Sequence, residues 1–122
     1  MKLKYALLIP TLAATIAAVA FLDDPATRFA VTAERAALAA LGGGCQVPIG
    51  IHCRPELCSA EGNWEILAVV ADPETGSAIR AFHTAPHTDA DPVTLGRQVV
   101  EKLISAGAGP LLQRHAQGGV AR

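Results

Sequence analysis

The sequence predicts an α+β fold: a small three-stranded antiparallel sheet with helices packed on one face. Two observations support this prediction. Apolar residues recur at helical spacing in residues 25–41 and 92–106, and they alternate with polar or small residues in the segment between these two stretches. Short connections rich in Pro, Gly, Asp and Asn separate the alternating runs. Such connections favour an antiparallel meander, because parallel strands need much longer crossovers.

Composition restricts the class of protein. The chain has 122 residues, of which 51% are hydrophobic and 17% charged, with a formal net charge of −1. One domain with a single core is therefore expected, and disorder is excluded. Lysines and arginines are scattered, so we expect no nucleic-acid partner. Three cysteines cannot all pair, which favours a reducing compartment and a cytoplasmic protein over a secreted disulfide framework.

Residues 1–22 form a distinct apolar N-terminal segment. Lys2 and Lys4 precede an apolar run that ends in Ala18, Val19 and Ala20, the pattern of a secretory signal. The alternative is a truncated leader of a cytoplasmic domain whose first helix is cut off. A membrane span is disfavoured, because Pro10 and the alanine- and threonine-rich half leave the stretch at the lower limit of spanning length. We therefore expect no membrane partner.

The first long helix is predicted to begin after Asp24 and to run to about Leu41. Asp24 is a suitable N-cap, and Pro25 occupies the first helical position, where its missing N–H is no loss. Gly42 is predicted to end the helix. The apolar stripe repeats every four residues, at Phe29, Ala33, Ala37 and Leu41.

Three strands are predicted to follow. The first begins at Val47 and alternates through Cys53, so that Cys53 and His52 lie on opposite faces of the sheet. A polar stretch over residues 54–63 leads to a central strand at residues 64–71. A turn at residues 72–76 then returns the chain as a third strand over residues 77–82, followed by a loop at residues 83–90.

The C-terminal part predicts two helices. Asp91 and Pro92 repeat the cap-and-proline arrangement, and Gly107 is expected to end the helix that they begin. The apolar stripe of this helix consists of Leu95, Val99, Leu103 and Ala106. A short third helix is expected from Gly109, and residues 117–122 are expected to be a frayed tail. The domain itself is thus predicted to cover residues 23–116.

The candidate functional residue is Cys45, in a turn that follows Gly42, Gly43 and Gly44. Glycines leave the sulfur unshielded and allow a planar group to approach the backbone. The alternative is a small buried side chain, which is the common state of free cysteines. A helix C-terminus carries partial negative charge and disfavours the thiolate, so the position itself does not activate the thiol.

Metal binding is a weaker interpretation. His52, Cys53 and Cys58, with Cys45 upstream, are residue types that bind zinc, but the spacing from Cys53 to Cys58 is wider than in a C-x2-C site. A second group of His and Asp residues falls in the loop at residues 83–90 and the cap after it: His83, His87, Asp89 and Asp91. A solvated loop with a helix cap explains this group better than a ligand set does. We therefore predict no metal site.

Two short motifs carry a family resemblance. The sequence AERA at residues 33–36 and LGGGCQVPIG at residues 41–50 closely resembles the C-terminal domain of hydroxymethylbilane synthase, also called porphobilinogen deaminase. The similarity extends over residues 16–115. It implies that Cys45 binds a dipyrromethane cofactor covalently through a thioether, with Gly43 and Gly44 leaving room for the first pyrrole ring.

The resemblance also implies what this chain lacks. In the family, two preceding domains supply the catalytic aspartate and the arginines that hold the carboxylates of the growing chain. Arg28, Arg35 and Arg54 are too few for that role, so no catalytic residue is assigned here. The implied partners are the missing N-terminal domains, supplied in trans, and a polypyrrole derived from porphobilinogen.

The family reaction is that of a transferase in tetrapyrrole and haem biosynthesis. It joins four porphobilinogen units with loss of ammonia to give hydroxymethylbilane. The resemblance therefore predicts a cofactor-bearing domain that is inactive alone, as a fragment or a split subunit. The alternatives are a non-catalytic module that binds pyrroles or other electrophiles through its thiol and, less well supported, an exported thiol or metal-binding protein.

Overall fold

The fold is a three-stranded antiparallel sheet covered on one face by helices, as predicted. The structure, a computed structural model, describes residues 6, 8–42, 48–58 and 62–118. The sheet order is β1-β2-β3, so β2 is the central strand. The elements in chain order are α1 (Leu8–Val19), a 3-10 turn (Ala20–Leu22), α2 (Pro25–Ala40), β1 (Ile49–Pro55), β2 (Asn63–Ala71), β3 (Ala78–Pro86), α3 (Pro92–Leu103) and α4 (Gly109–Gly118).

Both predicted caps are present. The side chain of Asp24 accepts hydrogen bonds from the Thr27 N–H at 2.8 Å and from the Thr27 hydroxyl at 2.7 Å. Asp91 makes the same pair of bonds to Thr94, each at 2.8 Å. These bonds satisfy N–H groups that have no partner within the helix and lower the pKa values of both carboxyl groups. Gly42 follows α2 with a φ of +86°, the left-handed conformation that favours glycine.

The strands extend beyond their predicted ends. β1 includes Arg54 and Pro55, and β3 continues through Pro86, four residues past the predicted end at Phe82. The reason is the length of β2, which pairs with β1 as far as Trp64 and with β3 as far as Asn63. The predicted connection of residues 54–63 is correspondingly shorter, and residues 59–61 lie outside the part of the chain that is described.

The core lies between the sheet and the helices. Alternate residues of β2 are buried, which places Trp64, Ile66, Ala68 and Val70 against the helices. From α2 the core receives Ala33 and Ala37, and from α3 it receives Leu95, Val99 and Leu103. α2 and α3 meet at Gly96, where a Cβ atom would lie only 2.4 Å from the carbonyl oxygen of Ala33. The two helix backbones are therefore in direct contact.

The C-terminal helices differ in detail from the prediction. α3 ends at Leu103, and the chain kinks at Gly107, which has a φ of +107°. Because of this kink Ala106 is exposed and Ala108 is buried, so Ala106 is not part of the core stripe. α4 includes Gln117 and Gly118, which the sequence assigned to a frayed tail, and residues 119–122 lie outside the described part.

Helix α1 is apolar, and none of its residues is buried. Its exposed side chains include Leu8, Ile9, Leu12, Ile16 and Val19, and Phe21 in the following turn is 81% exposed. No single helix in the described ranges is long and apolar enough to cross a membrane. The helical segments Leu8–Leu22 and Pro25–Ala40 are bent by 107° relative to each other. Taken together, this pair is long and apolar enough for a membrane span by length and composition only.

Candidate functional site

The predicted site falls on a connection whose two ends are described. Gly43, Gly44 and Cys45 lie outside the described residues, as does Val47. Before the gap, Gly42 follows α2, and no atom of the other described residues lies within 4 Å of the place where its Cβ would be. After the gap, the carbonyl of Pro48 accepts a hydrogen bond from the Ala71 N–H at 3.0 Å. The connection therefore joins a capped helix end to the first residues of an edge strand.

A carboxylate ties these two elements together away from the connection. The backbone N–H of Cys53 in β1 donates a hydrogen bond of 2.8 Å to Oε1 of Glu34 in α2. The same oxygen lies 3.6 Å from Nδ1 of His52. Because β1 is an edge strand, this carboxylate partners an N–H that no neighbouring strand reaches. Glu34 thereby fixes the orientation of β1 relative to α2.

Sequence reasoning did not single out Glu34, although it lies in the AERA motif. The available signal was its position on α2 beside Ala33, the start of the buried stripe. A carboxylate at the border of a buried helix face needs a donor, and the nearest unpaired donors are the N–H groups of an edge strand.

Cys53 is a buried thiol, as the alternation of the first strand predicted. It is 3% exposed, and His52 points to the opposite face of the sheet. Burial, with a smaller contribution from the negative charge of Glu34, raises the pKa of the Cys53 thiol to about 11. Since the thiolate is the nucleophile, Cys53 is unreactive at neutral pH. Cys58 is exposed in the polar connection after β1.

The raised pKa of Cys53 predicts a loss of stability in alkali. The thiol pKa is 9.0 in the ordinary state and about 11 in the folded chain. Between these two pH values the unfolded chain has lost the proton and the folded chain still holds it. The free energy of unfolding should therefore fall by up to about 1.4 kcal/mol per pH unit in this window and be insensitive to this group below it. Urea unfolding at pH 8 and pH 10.5 measures the fall. Cys53→Ala is the control, and an equal pH dependence in this variant would contradict the assignment.

The other candidate metal ligands are dispersed. His83 lies in β3, where its Nε2 is 2.8 Å from Oε1 of Gln98, and the ring of His87 stacks on Trp64 at 4.7 Å. Asp91 caps α3, as noted above. Within the described ranges, no group of three or more His, Cys, Asp or Glu side chains could hold a metal ion. The loop predicted at residues 83–90 is thus partly strand, with its polar groups engaged separately.

The candidate arginines also lie apart. Arg28 pairs with Asp23 at 2.7 Å at the start of α2, and Arg54 pairs with Glu65 at 3.0 Å on the open face of the sheet. Arg35 is exposed on α2 and makes no ion pair with any described residue. Among the described residues, these three side chains do not form one cluster.

Comparison with known proteins identifies the family. Residues 28–105 match the family model for "Porphobilinogen deaminase, C-terminal domain". Porphobilinogen deaminase of Acidothermus cellulolyticus is 47% identical over 98 residues, which cover 80% of this chain and 28% of that protein. Those of Roseiflexus castenholzii and Chromobacterium violaceum are each 41% identical over 91 residues, or 75% of this chain and 28% of each relative.

The match covers the fold from the first turn of α2 to the kink after α3, including the connection that carries Cys45. The chain spans 28% of the length of these relatives. The motifs at residues 33–36 and 41–50 lie within the match over residues 28–105. This chain therefore belongs to the porphobilinogen deaminase family and corresponds to its C-terminal domain.

Proposed function

We propose that this chain is the cofactor-bearing C-terminal domain of a hydroxymethylbilane synthase, with dipyrromethane attached to Cys45. The observation that carries the proposal is the family match over residues 28–105, which includes the glycine-flanked cysteine. The geometry before the gap supports it, because among the described residues none lies within 4 Å of where a Cβ of Gly42 would be. Cys53 is a poor alternative, since its thiol is buried and its pKa is raised.

The attachment chemistry requires a nucleophilic sulfur and an electrophilic pyrrole carbon. Attachment would join the sulfur of Cys45 to the methylene carbon of a hydroxymethylpyrrole, and the hydroxyl group would leave with the thiol proton as water. Once attached, the dipyrromethane supplies a covalent anchor for a growing polypyrrole. Gly43 and Gly44 contribute by placing no side chain between the sulfur and the first ring.

The remaining chemistry is assigned to another part of the enzyme. Condensation of four porphobilinogen units needs a general acid and cationic groups for the acetate and propionate side chains, which the family resemblance assigns to the preceding domains. We propose that it acts with the preceding domains of a porphobilinogen deaminase, in the cytoplasm, in tetrapyrrole biosynthesis. Alone, it should bind the pyrrole cofactor without turning over porphobilinogen.

The decisive experiment exposes the folded 122-residue chain to preformed hydroxymethylbilane and maps adducts by mass spectrometry. We expect a thioether adduct on Cys45, and on neither Cys53 nor Cys58. Cys45→Ser should abolish the adduct while changing the free energy of unfolding by no more than about 0.5 kcal/mol, because the sequence predicts a turn away from the core at this position. When the preceding domains are also supplied, the adduct should retain two pyrrole rings.

Two results would contradict the proposal. An adduct that persists in Cys45→Ser, or that labels all three cysteines equally, would assign no specific role to the connection. Formation of hydroxymethylbilane from porphobilinogen by the chain alone would contradict the expected division of labour. Cys58→Ser is the matched control, because Cys58 is exposed and no glycine immediately precedes it in the sequence.

A further inference from the structure

A groove separates α2 and α3 on the surface that faces away from the sheet. Its volume is about 650 Å³. The groove begins beside the Gly96 contact and reaches the last residues of α2, which immediately precede the connection carrying Cys45. It is lined by Thr32, Arg35, Ala36, Ala39, Ala40, Val93 and Arg97. Most of these side chains are small, so an incoming segment can approach both helix backbones.

The charge of the groove is entirely positive. Each helix contributes one exposed arginine, Arg35 from α2 and Arg97 from α3, and the lining contains no carboxylate. Neither guanidinium makes an ion pair with a described residue, whereas Arg28, Arg54 and Arg114 each pair with an aspartate or glutamate. Acidic groups lie nearby: Arg97 contributes, after the bonds to Thr94, to lowering the pKa of Asp91, and Arg35 also lines a neighbouring cavity with Asp23 and Asp24.

We propose that this groove docks a carboxylate-bearing segment of the deaminase domains that precede this domain in its relatives. The inference rests on the proposed function, because it requires those domains as partners. Two unpaired guanidinium groups offer fork-shaped donors that match carboxylates, and the small lining residues allow close contact between them. The chemistry of the groove therefore specifies an acidic partner.

The position of the groove agrees with this occupant. All of its lining residues fall within residues 28–105, the range that matches the family. The relatives are more than three times as long as the matched stretch, so each has further polypeptide that could cover this surface. Docking beside the end of α2 would also hold the connection with Cys45 close to the catalytic domains.

Two other exposed surfaces are weaker candidates. The open face of the sheet exposes Leu67 and Phe82, at 43% and 51%, and α1 exposes an apolar surface along its length. An apolar surface accepts many partners, and neither of these two specifies the chemistry of its occupant. The paired arginines do, which is why the groove carries the inference.

The test uses the Acidothermus cellulolyticus enzyme, truncated before the C-terminal region that matches this chain. Titration calorimetry at low and high salt measures its binding to the 122-residue chain. The wild-type chain should bind. The double variant Arg35→Ala, Arg97→Ala should have a dissociation constant at least about tenfold higher, and its affinity should depend less on salt concentration. Arg80→Ala is the matched control, since Arg80 is exposed on the open sheet face, away from the groove. Circular dichroism verifies that each variant is folded.

The possible outcomes separate the hypotheses. The docking proposal would be overturned if the wild-type chain did not bind or if the arginine double variant bound with equal affinity. It would also be overturned if binding were lost in the double variant Leu67→Ala, Phe82→Ala and not in the arginine variant. Self-association of the wild-type chain that depends on both arginines would also overturn it. Adduct formation on Cys45 from hydroxymethylbilane does not need the groove, so it can succeed when docking fails, and that result would leave the proposed function standing.

Discussion

Replacing Trp64 by alanine is expected to lower the free energy of unfolding by about 3–5 kcal/mol. Trp64 is 2% exposed and lies at the end of the central strand, where its ring is stacked between two others. Phe29 of α2 stacks on one face with ring centroids 4.1 Å apart, and His87 stacks on the other at 4.7 Å. Removal of the indole therefore leaves a cavity and unpairs two rings that belong to different elements.

Urea unfolding followed by circular dichroism measures this loss, because Trp64 is the single tryptophan and the variant has no indole fluorescence. Phe82→Ala is the matched control: it removes an aromatic ring from the neighbouring strand, but the ring is 51% exposed. We expect a loss below about 1 kcal/mol there. Comparable losses at the two positions would mean that the stack does not contribute to the core.

The elements with local signals were the ones that the sequence predicted best. Asp24 and Asp91 precede prolines, and a carboxylate at an N-cap needs only the N–H three residues later, so both helix starts were predictable without tertiary information. Gly42 follows α2 and Gly107 forms the kink between α3 and α4, each in a left-handed conformation that few other residues adopt readily.

The strand ends depended on non-local pairing and were predicted less well. His83 to Pro86 was predicted to be part of a loop, because proline and polar residues are uncommon inside strands. They extend β3 since β2 offers unpaired backbone groups as far as Asn63, a partner some twenty residues away in sequence. Backbone hydrogen bonds at a sheet rim thus override the weak local preference of these residues.

For the candidate site, sequence motifs were more informative than local patterns. The glycine-flanked Cys45 and its family were identified from residues 41–50, and the burial of Cys53 followed from strand alternation. The bond from Cys53 to Glu34 and the groove with Arg35 and Arg97 could not be predicted, because each depends on how two separate elements pack. Periodicity places a residue on a face, but it does not identify the opposing element.

Gly96→Ala is expected to destabilise the chain by about 1–3 kcal/mol, although alanine is favoured over glycine in a helix by about 1 kcal/mol. The added Cβ would lie 2.4 Å from the Ala33 carbonyl oxygen and 2.9 Å from the Ala37 nitrogen, distances that require movement. Both atoms belong to the backbone of α2, so no rotamer change relieves the overlap. The helices must separate, and that separation loosens the packing of Ala33 and Ala37, both fully buried.

Gly109→Ala provides the control for this prediction, because it makes the same chemical change at the start of α4 with a φ of −53°. The nearest atom to its added Cβ is Cγ2 of Ile104 at 3.7 Å, an ordinary contact. We expect this variant to be neutral or up to about 1 kcal/mol more stable. Tryptophan fluorescence in urea follows both variants. If Gly96→Ala were as stable as Gly109→Ala, the direct contact between the backbones of α2 and α3 would be wrong, and so would the groove that opens beside it.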